Sequence, residues 1–156
     1  NITITDDTNT ANMTVIANGN VNLSNTDISV ILRINDDSSG NNIVGSANDD
    51  ILNLNSGNDT VNLGTGDDTI NADIANLTSA DIINGGANTG TGDTLDFQTN
   101  VTLDFSNLSN VSNIENIDFA AGTDEVVLDD LSEFNKLGSH TLTGLEGTDE
   151  VVLEDL

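Results

Sequence analysis

The phase of the aspartates between Gly45 and Asn71 constrains this chain more than any other feature. The stretch reads GSANDDILN, LNSGNDTVN, LGTGDDTIN, three consecutive nonamers in which Asp50, Asp59 and Asp68 share one phase. Asn48, Gly57 and Gly66 stand two places before those acids, and Leu52, Val61 and Ile70 two places after. A fixed short period means that one small unit is stacked repeatedly, each copy burying what its neighbour exposes. A chain rich in Asp, Asn and Gly meets such a nonamer once by accident. Three in phase at turn, acid and aliphatic positions are a repeat.

The residue types explain the spacing. Gly and Asn tolerate left-handed backbone, so a six-residue turn of small residues brings its carbonyls inward. The Asp adds a carboxylate at the end of that turn, and the next three residues form a short strand with a single aliphatic pointing into the core. Two nonamers make one coil with a turn on each side, which pairs Asp50 with Asp68 through one ion. Stacked strands lie about 4.8 Å apart. Two unit charges at that distance repel by about 1 kcal/mol in water and several-fold more at lower effective dielectric. A column of unneutralised Asp therefore folds poorly. Calcium takes about six to eight oxygen ligands from carboxylates and backbone carbonyls, so several Ca2+ ions are expected, with the cation part of the fold.

The nonapeptide G-G-x-G-x-D-x-U-x, with U a large aliphatic, marks a calcium-binding parallel β-roll. At the positions quoted above the chain resembles the RTX (repeats-in-toxin) family. The resemblance implies an all-β fold, a parallel β-roll or β-solenoid with calcium-binding nonapeptide turns. Asp50, Asp59 and Asp68, with Asn48, Gly57 and Gly66 in the turns, are the residues it marks for the metal. The sequence departs from the pattern where Leu54-Asn55 and Leu63-Gly64 replace the first glycine pair, and where Asn48 replaces a glycine.

After Asn71 the repeat slips. Ala72 to Ala75 read as an insertion, after which NLTSADIIN recovers the phase with Asp81 and Ile83. GGANTGTGDTLDF follows, with Gly85-Gly86 opening a longer turn and Asp93 and Leu95 in phase. If stacking survives the insertions, Asp59 pairs with Asp81 and Asp68 with Asp93. A second repeat comes late: GTDEVVLDDL from Gly122 recurs as GTDEVVLEDL from Gly147, placing Asp124 and Asp149 at the acid phase of passable nonamers. Those two complete the expected metal ligands. Asp130 to Glu133 reads as the cap of a short helix carrying Leu131, Phe134 and Leu137 into the core. The three-residue steps from Leu108 to Ile117 fit solenoid coils with tight turns better than a helix, because the intervening Asn and Ser favour turns.

Residues 1–44 read as short strands, with Met13 to Ile16 and Ile28 to Ile34 as β-branched runs, and without the acid phase. Asp6, Asp7, Asp36 and Asp37 read there as solvated turn acids. The expected organisation is a solenoid-like flank over 1–44, a calcium β-roll over 45–97 and a β-rich flank over 98–156, continuous as one elongated domain.

Charge narrows the function. The formal net charge is -25, from 27 acids against two bases, Arg33 and Lys136. Nucleic acid, whose binding needs a positive surface, is excluded as a partner. Docking on anionic lipid is disfavoured for the same reason, and no apolar run is long enough to span a bilayer. High charge with four Phe and neither Trp nor Tyr is a disorder signature, yet the aliphatics keep short β periods. Disorder without calcium and order with it reconciles the two.

There is no Cys, and the single histidine, His140, sits in the polar turn GSHTLTG. Neither an H-E-x-x-H helix nor a G-x-S-x-G elbow occurs, so an enzyme is not expected. No leader of basic then apolar residues is visible and the first residue is Asn, which reads as a processed or excised piece.

The expected function is an extracellular structural protein of the bacterial cell surface, stacking end to end on copies of itself as a surface layer, fibre or adhesin. Uncapped solenoid ends can stack on neighbours. The alternative is the C-terminal folding and export module of a larger enzyme or toxin. The acidic-aliphatic ending VVLEDL resembles the signals read by type I secretion machinery.

Overall fold

The structure is a computed structural model that describes residues 13–25, 31–128, 141–144 and 146–153. The expectations for Asp6 and Asp7, for the helix after Asp130 and for His140 lie outside these residues.

Strands β1 (Met13–Ala17), β3 (Leu32–Asp36), β5 (Asp50–Asn53), β7 (Thr69–Ala72), β9 (Thr94–Phe97), β12 (Asn116–Asp118) and β14 (Thr141–Thr143) form one seven-stranded sheet in that order. A five-stranded sheet runs through β2 (Val21–Asn22), β4 (Asn42–Val44), β6 (Thr60–Thr65), β8 (Ile82–Ala87) and β11 (Val111–Ser112). All their pairings are parallel. Strands adjacent in sequence therefore fall in different sheets, and each sheet pairs strands one coil apart. That is a parallel β-solenoid of about six turns. Among the described residues no helix is long and apolar enough to cross a membrane.

Alternation within each strand makes the coil. Leu52, Val61 and Ile70 are buried, as the nonamers require, but a second inward residue follows two places on: Leu63 and Ala72 within β6 and β7, and Leu54 directly after β5. This corrects the expectation of a single aliphatic per strand. It also explains the departures from the glycine pair, since Leu54 and Leu63 enlarge a core that glycine would leave thin. Burying such a side chain stabilises by roughly 1.5–3 kcal/mol. Ala72 ends β7 rather than opening an insertion, so the extra residues begin at Asp73. Gly85 and Gly86 likewise lie inside β8, and the longer turn starts after Ala87.

Beyond Phe97 the coil gains a third side. Strands β10 (Thr102–Asp104), β13 (Glu125–Leu128) and β15 (Glu150–Leu153) form a separate three-stranded parallel sheet. A short 3-10 helix, Phe105–Leu108, turns the chain from β10 towards β11. The wider cross-section is filled by Val101, Leu103, Phe105, Leu108, Val111 and Ile114, all buried. Phe97 and Phe119 stack one coil apart with ring centroids 5.8 Å from each other. The dense aliphatics there thus belong to tight coils, with one turn of 3-10 helix among them.

Candidate metal centre

Each coil turns a corner just before a strand, and the acids of the repeat sit at those corners facing inward. In the first column Asp50, Asp68 and Asp93 precede or open β5, β7 and β9. The Asp50 N–H donates to Asp68 Oδ1 at 2.7 Å, and the Asp68 N–H to Asp93 Oδ1 at 2.7 Å. In the second column the Asn41 N–H donates to Asp59 Oδ1 and the Asp59 N–H to Asp81 Oδ1, both at 2.7 Å. In the third the Val101 N–H donates to Asp124 Oδ1 at 2.7 Å and the Asp124 N–H to Asp149 Oδ1 at 3.0 Å. Each accepting carboxylate is thus a rung, tying its own coil to the backbone of the coil before it, while Asp50 begins the first column as a donor to the ladder only. The stacking of Asp50 under Asp68, Asp59 under Asp81 and Asp68 under Asp93 survives the insertions.

One rung was not anticipated. Glu115 Oε2 accepts the Asp93 N–H at 2.9 Å and continues the first column. The signal was in the sequence: Glu115 stands two residues before the core aliphatic Ile117, as Asp93 stands before Leu95. The longer side chain reaches the same donor.

The second oxygens divide the rungs into two kinds. Asp50 Oδ2 accepts the Ser46 N–H at 2.7 Å, and Ser46 Oγ donates to Asp50 Oδ1 at 3.1 Å. Asp81 Oδ2 accepts from both the N–H and the hydroxyl of Thr78, at 2.7 and 3.0 Å. By contrast Oδ2 of Asp59, Asp68, Asp93 and Asp124 is buried with no hydrogen-bond partner. Leaving a buried acceptor unmatched costs about 1–3 kcal/mol, and more when it is charged. Burial raises the carboxyl of Asp68 to about 7 and those of Asp59 and Asp93 to about 6, and stacked neighbouring acids push the same way. Desolvation also raises Asp50.

The turn residues supply the rest of the geometry. A Cβ on Gly66 would come within 2.9 Å of the Asn48 carbonyl oxygen, and one on Gly57 would collide with the Ser39 carbonyl. Those positions must stay bare because successive turns stack their carbonyls. Asn48 is exposed, and its carbonyl accepts from Ser46 Oγ at 3.2 Å.

Outside the first column Asp49 accepts the Asp67 N–H at 2.8 Å. Asp67 is in turn gripped by the N–H groups of Thr89, Gly90 and Thr91 at 2.8–3.0 Å. Those bonds lower its carboxyl to about 2. The third column opens onto a cavity of about 550 Å³ lined by Thr102, Asp124, Glu125, Asp149 and Glu150 among others.

The donor set fits a hard cation. It consists of carboxylate oxygens without donors, carboxylates stacked one strand apart, and glycine turns packed with carbonyls, all of which suit an oxygen-loving divalent ion. Among the described residues no three Asp, Glu, His or Cys side chains converge on one point. An ion between rungs would hence take two carboxylates at most, with turn carbonyls and water completing its shell.

Fold and corners together define a parallel β-solenoid with carboxylate ladders on its inner edges. No protein-family model matches the chain, and no curated protein or solved structure matches it significantly.

Proposed function

We infer that this chain is a calcium-stabilised extracellular structural protein of the RTX kind, stacking end to end with copies of itself in a bacterial surface layer, fibre or adhesin stalk. The observation that carries the reading is the set of buried Oδ2 atoms on Asp59, Asp68, Asp93 and Asp124, which have no donor. Calcium at those rungs neutralises a column that otherwise repels itself, so folding and ion binding become one equilibrium. Extracellular modules bind calcium at about 10⁻⁴–10⁻³ M. Low calcium inside the cell then keeps the chain unfolded for export by a type I machinery, and the higher level outside folds it. No catalytic step belongs to this reading.

Self-association is supported by the last strand of the third sheet. Strand β15 pairs in register with β13, each reading EVVL. Val126 on β13 is 1% exposed, while its register partner Val151 on β15 is 50% exposed. Among the described residues nothing pairs with the far edge of β15, and such an edge beside a half-exposed valine is a template for another strand.

The test is circular dichroism with light scattering during calcium addition and chelation. Calcium-driven gain of β signal with growth to large particles is the expected result. A β signal on a stable monomer would turn the reading to the folding module of a larger secreted enzyme or toxin, and a β signal indifferent to chelation would end it.

A further inference from the structure

The turn that closes the β3–β4 coil interrupts the second acid column and the neighbouring apolar stack at once. Asn41 occupies the rung position in register with Asp59 and Asp81, so an amide stands where its neighbours carry a carboxylate. Asp36 occupies the inward end of β3, where the next two coils place Leu54 and Ala72. A charge is missing from the acid column and present in the apolar one, five residues apart. Asp36 is buried, which corrects its reading as a solvated turn acid; its Oδ2 accepts the Asn55 N–H at 3.1 Å.

The polar groups of this turn are incompletely matched. Asn41 is 3% exposed, and its amide nitrogen donates to Asp36 Oδ1 at 2.6 Å and to Asp37 Oδ1 at 3.0 Å. Its own Oδ1 is buried with no partner, as is Oδ2 of Asp59, the rung that binds the Asn41 N–H. Two buried acceptors, on residues joined by a hydrogen bond, therefore lack donors. Asp36 and Asp37 both act electrostatically on Asp59, as does Asp81. The chain offers two basic side chains in all, and Arg33, the one on β3, alternates outward between Leu32 and Ile34. A bridging water would satisfy the two acceptors but would leave the negative field uncompensated.

We propose that the Asn41 turn is a cation site in its own right, with Asn41 Oδ1 and Asp59 Oδ2 as direct ligands of a hard divalent ion and Asp36 and Asp37 supplying the balancing charge. The site lies in the flank where no regular calcium position was expected. It rests on the calcium reading for the identity of the ion and on its own residues for the location. The substituted rung keeps an oxygen ligand, and the two acids beside it restore the charge that the amide lacks.

Ion counting by native mass spectrometry, with calcium titration calorimetry, tests this on the 156-residue chain. The double variant D36N/D37N is expected to bind one calcium fewer than the wild type. N41D, which restores a carboxylate without removing an oxygen ligand, is expected to keep the wild-type count and tighten one site about tenfold. On calcium addition the Asn41 side-chain amide should shift in the NMR spectrum of the wild type, a reading that needs no variant. An unchanged count in D36N/D37N, or an Asn41 amide indifferent to saturating calcium, would overturn the site and leave a water-filled structural turn. A wild type that binds no calcium would instead refute the parent reading.

Discussion

The corners at Asp50 and Asp68 look alike in sequence and differ in chemistry. Both acids end a small-residue turn, both precede a buried aliphatic, and they sit on consecutive rungs of one column. Asp50 is closed locally by Ser46, which binds both of its oxygens. Asp68 has no such neighbour at Oδ2. Asp81 resembles the first, through Thr78, while Asp59, Asp93 and Asp124 resemble the second. Rungs sealed by a hydroxyl residue thus stand in the same ladder as rungs whose second oxygen is left open, and on the proposed calcium reading the two kinds should respond differently to calcium, acid and substitution.

The largest expected effect would erase the difference altogether. Leu52→Ala removes a fully buried side chain stacked in register between Ile34 and Ile70 in the core on which every corner rests, and should cost about 2–5 kcal/mol. Urea unfolding in saturating calcium is the measurement, and a loss under about 1 kcal/mol would show that the core is looser than the burial implies.

A sharper test separates the rungs. Asp68→Ala leaves the Asp50 N–H without its acceptor and deletes the open oxygen proposed above to take a cation, whereas Asp81→Ala deletes a rung already sealed by Thr78. Asp68→Ala loses one buried hydrogen bond, about 1–3 kcal/mol, whereas Asp81→Ala loses three, from the Asp59 N–H and from the N–H and hydroxyl of Thr78, and should be the more destabilising in the fold itself. Only Asp68→Ala should also weaken calcium binding to the folded chain, read by titration calorimetry, by about tenfold or more, about 1.4 kcal/mol in binding. Equal shifts in the two variants would break the distinction.

Acid should discriminate as well. The folded carboxyls of Asp68, at about 7, and of Asp59 and Asp93, at about 6, lie above the ordinary value of 3.8. The folded chain therefore holds more protons than the unfolded one between those values, and stability falls as pH rises. Their contribution is intact below 3.8 and is lost as pH climbs through 6 to 7. Cation-free protein should consequently show more β signal near pH 4 than near pH 8, and excess calcium should restore the signal at the higher pH. A cation-free chain most ordered at pH 8 would contradict the burial of these groups.

The smallest effect concerns the seal itself. Ser46→Ala removes one hydroxyl bond from Asp50 and should cost about 0.5–1.5 kcal/mol. Thr65→Ala, at an exposed position three residues before Asp68, should change stability by less than about 0.5 kcal/mol.

Thr65 also shows where the sequence stops being readable. It stands as far before Asp68 as Thr78 stands before Asp81, so spacing gives both the same seal. Backbone decides otherwise. Gly64, at φ 112°, carries the turn into a left-handed conformation that a Cβ would strain, and the Thr65 N–H points to the Ser46 carbonyl of the coil before. A three-dimensional stacking relation thus overrides a local one. The strand phase and the stacking of the acids were legible because period-two burial and the nonamer repeat act together. The third sheet was not, because Thr102 to Asp104 finds its partner more than twenty residues later, in the GTDEVVL repeat. Asp36 was misread because solvated acids are the rule in turns, and that rule was set above the period-two phase of Leu32 and Ile34, which places position 36 on the inward face.

Successive rungs of the first column are separated by 18, 25 and 22 residues, yet the bonds that join them span 2.7 to 2.9 Å. Whatever the chain does between two rungs is invisible to the ladder so long as it returns to the same height. Excursions such as 73–80 and 88–92 can consequently differ in length without disturbing the shaft, provided that Leu77 keeps its place in the core, Thr78 its bonds to Asp81 and the second turn its grip on Asp67, and such a molecule can diversify its flanks while its spine stays fixed.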